Sequence, residues 1–235
     1  EVFGDLSLSG FGAYAEYVAV PDTALALKPK RLTFEQAAAV PVSAVTALQG
    51  LRAGNIQAGQ TVLINGASGG VGTYAVQIAK ALGAEVTAVC STGNVAMARS
   101  IGADHVVDYT REDFSRSGRK YNLILAANGY NPIKAYQRAL APNGSYVMTG
   151  GSTAQMFQAM LMGPWLSRKS GQKLGNILAK PNQTDLVFVR ELIDAGKVTP
   201  VIDRCYPLRD VAEAIRYVEA GHAKGKVVIT VEEPN

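Results

Sequence analysis

The chain has 235 residues, 48% of them apolar, and a formal net charge of +4. That length suits one large domain or one and a half. No apolar run approaches the ~18 residues of a membrane helix, and no charged segment leads into an apolar one at the start, so neither a membrane partner nor a secretory leader is expected. The charge is spread out. Lys28, Lys30 and Arg31 form one basic cluster, and Arg168, Lys169 and Lys173 another. Neither is interleaved with aromatic residues, so both read as solvated surface and no nucleic acid is expected as a partner. Cys90 and Cys205 lie far apart, and His105 and His222 have no second ligand close in sequence. No disulfide framework and no metal site are expected within these residues, and the cysteine usage fits a reducing, cytoplasmic setting.

Residues 1–30 are rich in Gly and Ser, with strand-like alternation over Ala13–Val20 that Pro21 ends. Glu1 is not an initiator Met, and the segment reads as the tail of a β-rich unit that begins upstream. Thr33 opens a helix through the capping-box pattern Thr33-x-x-Gln36. That helix is interrupted at Pro41 and resumes to Leu51. Strands at Val62–Asn65, Val86–Cys90, His105–Val107 and Leu123–Ala127 then alternate with helices at about Val71–Leu82 and Val95–Ile101. Asn131 and Pro132 read as the N-cap and first residue of a helix that ends near Leu140. Pro142-Asn143-Gly144 turns into a strand at Ser145–Thr149. Repeated strand–helix units of this length predict an α/β fold with a doubly wound parallel sheet.

Residues 152–181 are less regular. The apolar stretch containing Met156–Trp165 reads as core, as a dimer surface or as a pocket wall, and Lys173–Leu178 as an outer strand. Thr184 caps a helix ending at Gly196. A strand at Val198–Ile202, a helix at Val211–Ala220 with Gly221 at its C′ position, and a strand at Val227–Val231 complete the prediction.

The most informative stretch is Thr61–Ala84. In its turn NGASGGVG, Ala67, Gly69 and Gly72 occupy the three positions of the pattern G-x-G-x-x-G. Gly69 lets the backbone approach a pyrophosphate, Gly72 lets the helix pack against the strand, and the helix N-terminus faces the phosphates. The context supports a dinucleotide site over a purely structural turn. Val62, Leu63 and Ile64 form a buried strand, and Val71, Ala75, Ile78, Ala79 and Leu82 share one helical face. An NAD site usually carries an acid about 20 residues past the glycines. Here that region reads Val89-Cys90-Ser91-Thr92-Gly93-Asn94, with no carboxylate to repel a 2′-phosphate. Ser91, Thr92 and Asn94 offer small donors instead, although no Arg or Lys sits among them. NADPH is therefore the expected cofactor and NADH the weaker alternative. Tyr109 could add a hydroxyl or simply pack.

In the segments GAYAEYVAVP, AAAVPVSAVTALQGL, NGASGGVG, GADHVVDY and GHAKGKVVITV, in that order, the chain resembles the medium-chain dehydrogenase/reductase superfamily. It is most similar to the zinc-independent quinone oxidoreductase (zeta-crystallin-like) branch. The resemblance implies a Rossmann domain at about 31–197. It also implies remnants of a GroES-like β-rich catalytic domain at both ends, 1–30 and 198–235. It places Thr46 beside the nicotinamide, Ser68, Gly69, Gly70, Val71 and Gly72 at the phosphates, and Ser91, Thr92, Asn94 and Tyr109 at the 2′-phosphate. Asn128 falls at a cofactor ribose, and Gly150 and Gly151 at the backbone beside the nicotinamide. Two departures stand out. Gly93 replaces an Arg common in relatives, and Ala126-Ala127-Asn128-Gly129-Tyr130 replaces a more usual Asp-Ala-Val-Gly-Asn.

The implied reaction is NADPH-dependent hydride transfer to a quinone or an α,β-unsaturated carbonyl. A homodimer is expected because the apolar Met156–Trp165 stretch and the outer strand Lys173–Leu178 offer a surface that a lone monomer would leave exposed. The alternatives are alcohol dehydrogenase-like carbonyl reduction and a truncated, non-catalytic NADPH-binding protein. No side chain is singled out as a general acid. Tyr130 lies near the expected cleft, where packing is the simpler role.

Overall fold

A computed structural model describes residues 1–10, 12–128, 130–151, 171–221 and 223–231. The chain divides into two compact units, one of residues 1–45 with 180–235 and the other of residues 46–179. The sequence-based boundaries lay at 30/31 and 197/198.

The second unit is built on a six-stranded sheet. Its strands are β3 (Thr61–Asn65), β4 (Glu85–Cys90), β5 (His105–Asp108), β6 (Tyr121–Ala126), β7 (Leu140–Met148) and β8 (Lys173–Asn176). All pairs are parallel, in the order β5-β4-β3-β6-β7-β8. This is the order of a doubly wound dinucleotide-binding sheet, with the reversal between β3 and β6. Val62, Leu63 and Ile64 have no solvent exposure. A strand covered on both faces reads as a continuous apolar run, which is why periodicity of two is missing there. Each such side chain contributes roughly 1.5–3 kcal/mol of burial. Helix α3 (Gly70–Ala81) is buried through Gly72–Ala79. Helices α4 (Val95–Ser100) and α5 (Ile133–Ala139) follow β4 and β6. Phe114, Tyr136 and Tyr146 stack in the core with ring centroids 5.6 and 4.6 Å apart. The Tyr136 hydroxyl accepts a 2.6 Å bond from Asn65 Nδ2, which ties the end of β3 to α5.

The first unit holds α1 (Phe34–Ala38), α6 (Gln183–Asp194), α7 (Val211–Glu219) and two small sheets. β1 (Val2–Gly4) pairs antiparallel with β2 (Leu25–Leu27), and β9 (Ile202–Pro207) pairs parallel with β10 (Lys226–Thr230). Thr33 caps α1 with both bonds of the capping box, as predicted. Helix α2 (Pro41–Ala53) runs across the division between the units. α6 is fixed by Lys30 N–H donating to Asp194 (3.0 Å) and Gln183 Nε2 donating to the Leu25 carbonyl (2.7 Å).

Several local expectations change. Ala13–Val20 is not a strand. Tyr14, Tyr17 and Val18 are exposed, and the pairing falls to β1 and β2, so the alternation has no ladder to join. The C-terminal strand starts at Ile202 rather than Val198, because Pro200 lacks an N–H and pairing with β10 begins at Ile202. α6 is capped by Asn182, whose side chain accepts from Asp185 N–H at 2.8 Å, and not by Thr184. α5 starts one residue later than expected, with Pro132 at the N-cap in an extended conformation. The Pro142–Gly144 turn lies inside β7. Pairing jumps from Tyr121↔Leu140 to Leu123↔Ser145, and Asn143 takes φ +61°. The outer strand is β8, at one edge of the sheet and ending at Asn176. Met156–Trp165 lies outside the described residues.

Candidate functional site

Because the sheet is parallel, β3, β4, β5, β6 and β7 all end at one edge, at Asn65, Cys90, Asp108, Ala126 and Met148. The loops after them carry Ser68–Gly72, Ser91–Asn94, Tyr109, Asn128 and Gly150–Gly151. The fold thus gathers the residues predicted for the cofactor at the carboxyl end of the sheet, on both sides of its switch point. Thr46 joins them through α2. A Cβ on Gly50 would sit 2.6 Å from Leu125 and 2.8 Å from Thr149, and one on Gly54 would run into Leu123. α2 therefore runs antiparallel to β6, and Thr46, one turn before Gly50, lies toward the carboxyl edge.

The turn after β3 is shaped by backbone sterics. Gly66 has φ +80°, and a Cβ there would lie 2.8 Å from Asn128 N. The tight-turn role thus falls on Gly66, which the motif reading passed over in favour of Ala67. The Asn-Gly pair at the strand end was the available signal. At Gly72 a Cβ would run into the Gly66 carbonyl oxygen and come within 2.7 Å of Ala67 Cα. Gly69 is different. Its nearest neighbour would be the Gly66 oxygen at 3.6 Å, an ordinary contact. The protein itself leaves room for a side chain at Gly69, so no neighbour within the fold requires glycine there. Gly69 is also the N-cap of α3, and no side chain caps that helix. The first-turn amides and the positive end of the helix dipole are thus presented to an anion.

Asn128 closes the turn from the β6 side. Ala127 and Asn128 both donate backbone N–H to the Asn65 carbonyl, at 3.0 and 3.3 Å. A Cβ on Gly150 would lie 2.6 Å from the Ala127 carbonyl, so the β7 loop passes close to the β6 loop only with glycine there. Tyr130 is 75% exposed, so it does not pack as expected, and Tyr109 is 62% exposed.

Beyond β4 lies a network that the sequence did not reveal. Asn94 Nδ2 donates to Ser91 Oγ at 3.1 Å, while the buried Asn94 Oδ1 has no hydrogen-bond partner among the described residues. Leaving a buried acceptor bare costs about 1–3 kcal/mol, and a ribose hydroxyl would satisfy it. The Thr92 hydroxyl donates to Asp108 Oδ2 at 2.5 Å. Thr110 gives its N–H and hydroxyl to Asp108 Oδ1 at 3.0 and 2.7 Å, and Arg111 Nε lies 3.5 Å from Oδ2. The Thr92 bond, with those from Thr110, holds the Asp108 carboxyl below the usual carboxylate range despite its burial. The stretch 89–94 has no carboxylate, as read, but the fold brings one to Thr92 from β5. Burial and the Asp108 charge push the neighbouring Cys90 thiol up to about 11.

A cavity of about 990 Å³ lies in the first unit, lined by residues that include Phe3, Tyr14, Phe34 and Ile229. Lys226 also lines it and donates to Ser43 Oγ at 2.9 Å, with burial lowering its pKa. None of the predicted cofactor residues lines this cavity. Among the described residues no three His, Cys, Asp or Glu come together as a metal-binding group, and no helix is long and apolar enough to cross a membrane.

A family model described as zinc-binding dehydrogenase matches residues 101–229. The chain is 36% identical to an Arabidopsis thaliana protein named NADPH-dependent alkenal/one oxidoreductase, chloroplastic, over 93% of this chain and 53% of that one. It is 34% identical to the chloroplast envelope quinone oxidoreductase homolog of the same plant, over 97% of this chain and 72% of that one. Among solved structures, the quinone oxidoreductase from Coxiella burnetii superposes with a TM-score of 0.80 at 28% identity, covering 91% of this chain and 66% of that one. The chain thus spans from about half to about three quarters of these relatives' length. With this sheet order, this glycine turn and these relatives, the chain belongs to the medium-chain dehydrogenase/reductase superfamily, in its quinone oxidoreductase branch.

Proposed function

We propose that the chain binds NADPH at the carboxyl edge of its six-stranded sheet and transfers hydride to a quinone or an α,β-unsaturated carbonyl. The observation that carries this reading is the open face of Gly69 at the uncapped start of α3, which fits a pyrophosphate. The names of the relatives, alkenal/one and quinone oxidoreductases, support the substrate class.

The proposed roles follow the geometry. Ser68, Gly69, Gly70, Val71 and Gly72 hold the pyrophosphate through backbone amides and the helix dipole. Ser91, Thr92, Asn94 and Tyr109 surround the adenosine ribose, and Asn128 contacts the second ribose. Thr46, Gly150 and Gly151 position the nicotinamide end, where Thr149 N–H is already committed to the Ala126 carbonyl at 3.0 Å. When bound, NADPH supplies the hydride. The protein contributes position and the exclusion of water.

The same reading takes the first unit, with its small sheets β1–β2 and β9–β10, as belonging to a GroES-like catalytic domain. It takes the reaction as zinc-independent, the location as cytoplasmic and the assembly as a homodimer. The position of β8 at the sheet edge, unpaired on its outer side among the described residues, and the exposed Leu178 support the last of these. Free Cys90 and Cys205 fit a reducing compartment.

Titration with NADPH and NADH, read by nucleotide fluorescence, tests the cofactor. Saturable binding is expected, tighter for NADPH, and binding of neither overturns the reading. Oxidation of NADPH by a small quinone or an alkenal, unaffected by chelators, tests the reaction. Binding without turnover would make the chain a non-catalytic nucleotide binder.

A further inference from the structure

We propose that Asp108 is a specificity-determining residue of the adenosine-ribose pocket: it holds the Thr92 hydroxyl and sets a carboxylate beside the 2′ position, restraining the chain's preference for NADPH over NADH. The inference rests on the assignment of residues 91–94 to that ribose.

Three short contacts join the Thr92 hydroxyl, the Thr110 hydroxyl and Asp108: 2.5 Å from Thr92 to Oδ2, 2.7 Å from Thr110 to Oδ1, and 2.9 Å between the two hydroxyls. Each hydroxyl has one proton to give, and a carboxylate only accepts. Charge-assisted bonds are roughly twice as strong as neutral ones, so both protons go to Asp108. Thr92 Oγ1 then shows only lone pairs to a ligand. A 2′-hydroxyl can donate to such an oxygen. A 2′-phosphate, itself an acceptor, cannot.

Charge acts in the same direction. Any ligand atom within hydrogen-bond reach of Thr92 Oγ1 lies within about 5.5 Å of Asp108 Oδ2. Arg111 offsets part of this charge, from a side chain that is 74% exposed with Nε 3.5 Å from Oδ2. Gly93, where a basic residue would serve a phosphate directly, brings no charge. The 2′-phosphate is thus left to the Ser91 and Tyr109 hydroxyls for donors, and Asp108 narrows the preference for NADPH without reversing it.

The test compares dissociation constants for NADPH and NADH, by fluorescence, in wild type, Asp108→Asn and Arg111→Gln, with thermal unfolding followed alongside. Asp108→Asn should raise the NADPH:NADH affinity ratio about tenfold, as expected for removing a like charge at that distance. Arg111→Gln leaves the threonine–carboxylate network in place and uncovers the carboxylate, so it should lower the ratio several-fold. A folded Asp108→Asn protein with an unchanged ratio overturns the proposal. If that variant fails to fold, an Arg111→Gln ratio that is unchanged or raised overturns it instead. Binding of neither nucleotide to wild type would remove the cofactor reading and this inference together. Binding of both, with a ratio indifferent to Asp108, would remove this inference alone.

Discussion

The turn after β3 and the paired ends of β4 and β5 lie on the same sheet edge, yet they are built by different means. The turn is made of contiguous backbone. Gly66 bends it at φ +80°, and the missing Cβ of Gly72 lets α3 sit on the Gly66 carbonyl. The other region is made of side chains, with Thr92 of the turn after β4 bonded to Asp108 at the end of β5. A backbone cradle suits the pyrophosphate that every dinucleotide carries. The side-chain network is where NADPH and NADH can differ. On the proposed reading, recognition of the class and discrimination within it fall to physically separate parts of one edge.

The largest expected effect breaks the turn itself. Gly72→Ala places a methyl group against the Gly66 carbonyl and Ala67 Cα, backbone atoms that cannot rotate away. A loss of about 3 kcal/mol or more in urea-unfolding free energy is expected. Gly69→Ala is the counterpart. Its methyl meets only the Gly66 oxygen at 3.6 Å, so stability should change by less than about 1 kcal/mol while affinity for both nucleotides falls. Equal destabilisation by the two substitutions would mean that Gly69 serves the fold and not a ligand.

That contrast also explains what could be read in the sequence. The turn was legible because its requirements are local: a buried strand, glycines at fixed spacing, and an apolar helical face. The parallel, doubly wound sheet followed from the alternation of elements, and the capping box at Thr33 announced α1. The role of Asp108 was not legible, since nothing local marks a carboxylate on β5 as the partner of a hydroxyl following β4. The register Cys90↔Asp108 brings the two together. Ala13–Val20 misled for a related reason. Alternation describes what a strand would bury, but a partner decides whether it forms, and the partners here are Val2–Gly4 and Leu25–Leu27.

Gly93→Arg sharpens the comparison at the discriminating end. An ideal Cβ at Gly93 meets no atom within 4 Å, and its backbone is not left-handed, so the substitution should leave the fold intact. A charge-assisted bond to a 2′-phosphate should tighten NADPH by about 1–2 kcal/mol, roughly 5- to 30-fold, with NADH nearly unchanged. Parallel gains for both nucleotides would shift the new charge's effect to the pyrophosphate and erase the division of labour.

The smallest effect concerns pH. The bonds from Thr92 and Thr110 keep the folded Asp108 carboxyl below its unfolded value, so the folded state favours the ionised form. The resulting stability is fully present above the ordinary carboxylate pKa of about 4 and is lost as pH falls through the lower folded value. Asp104, Asp113 and Asp203 shift in the same direction, so wild type alone would not isolate one group. The difference between wild type and Asp108→Asn does. Urea-unfolding midpoints should differ most above pH 5 and converge toward pH 2. A difference that stays constant across that range would mean that the Thr92 bond does not depend on the charge of Asp108.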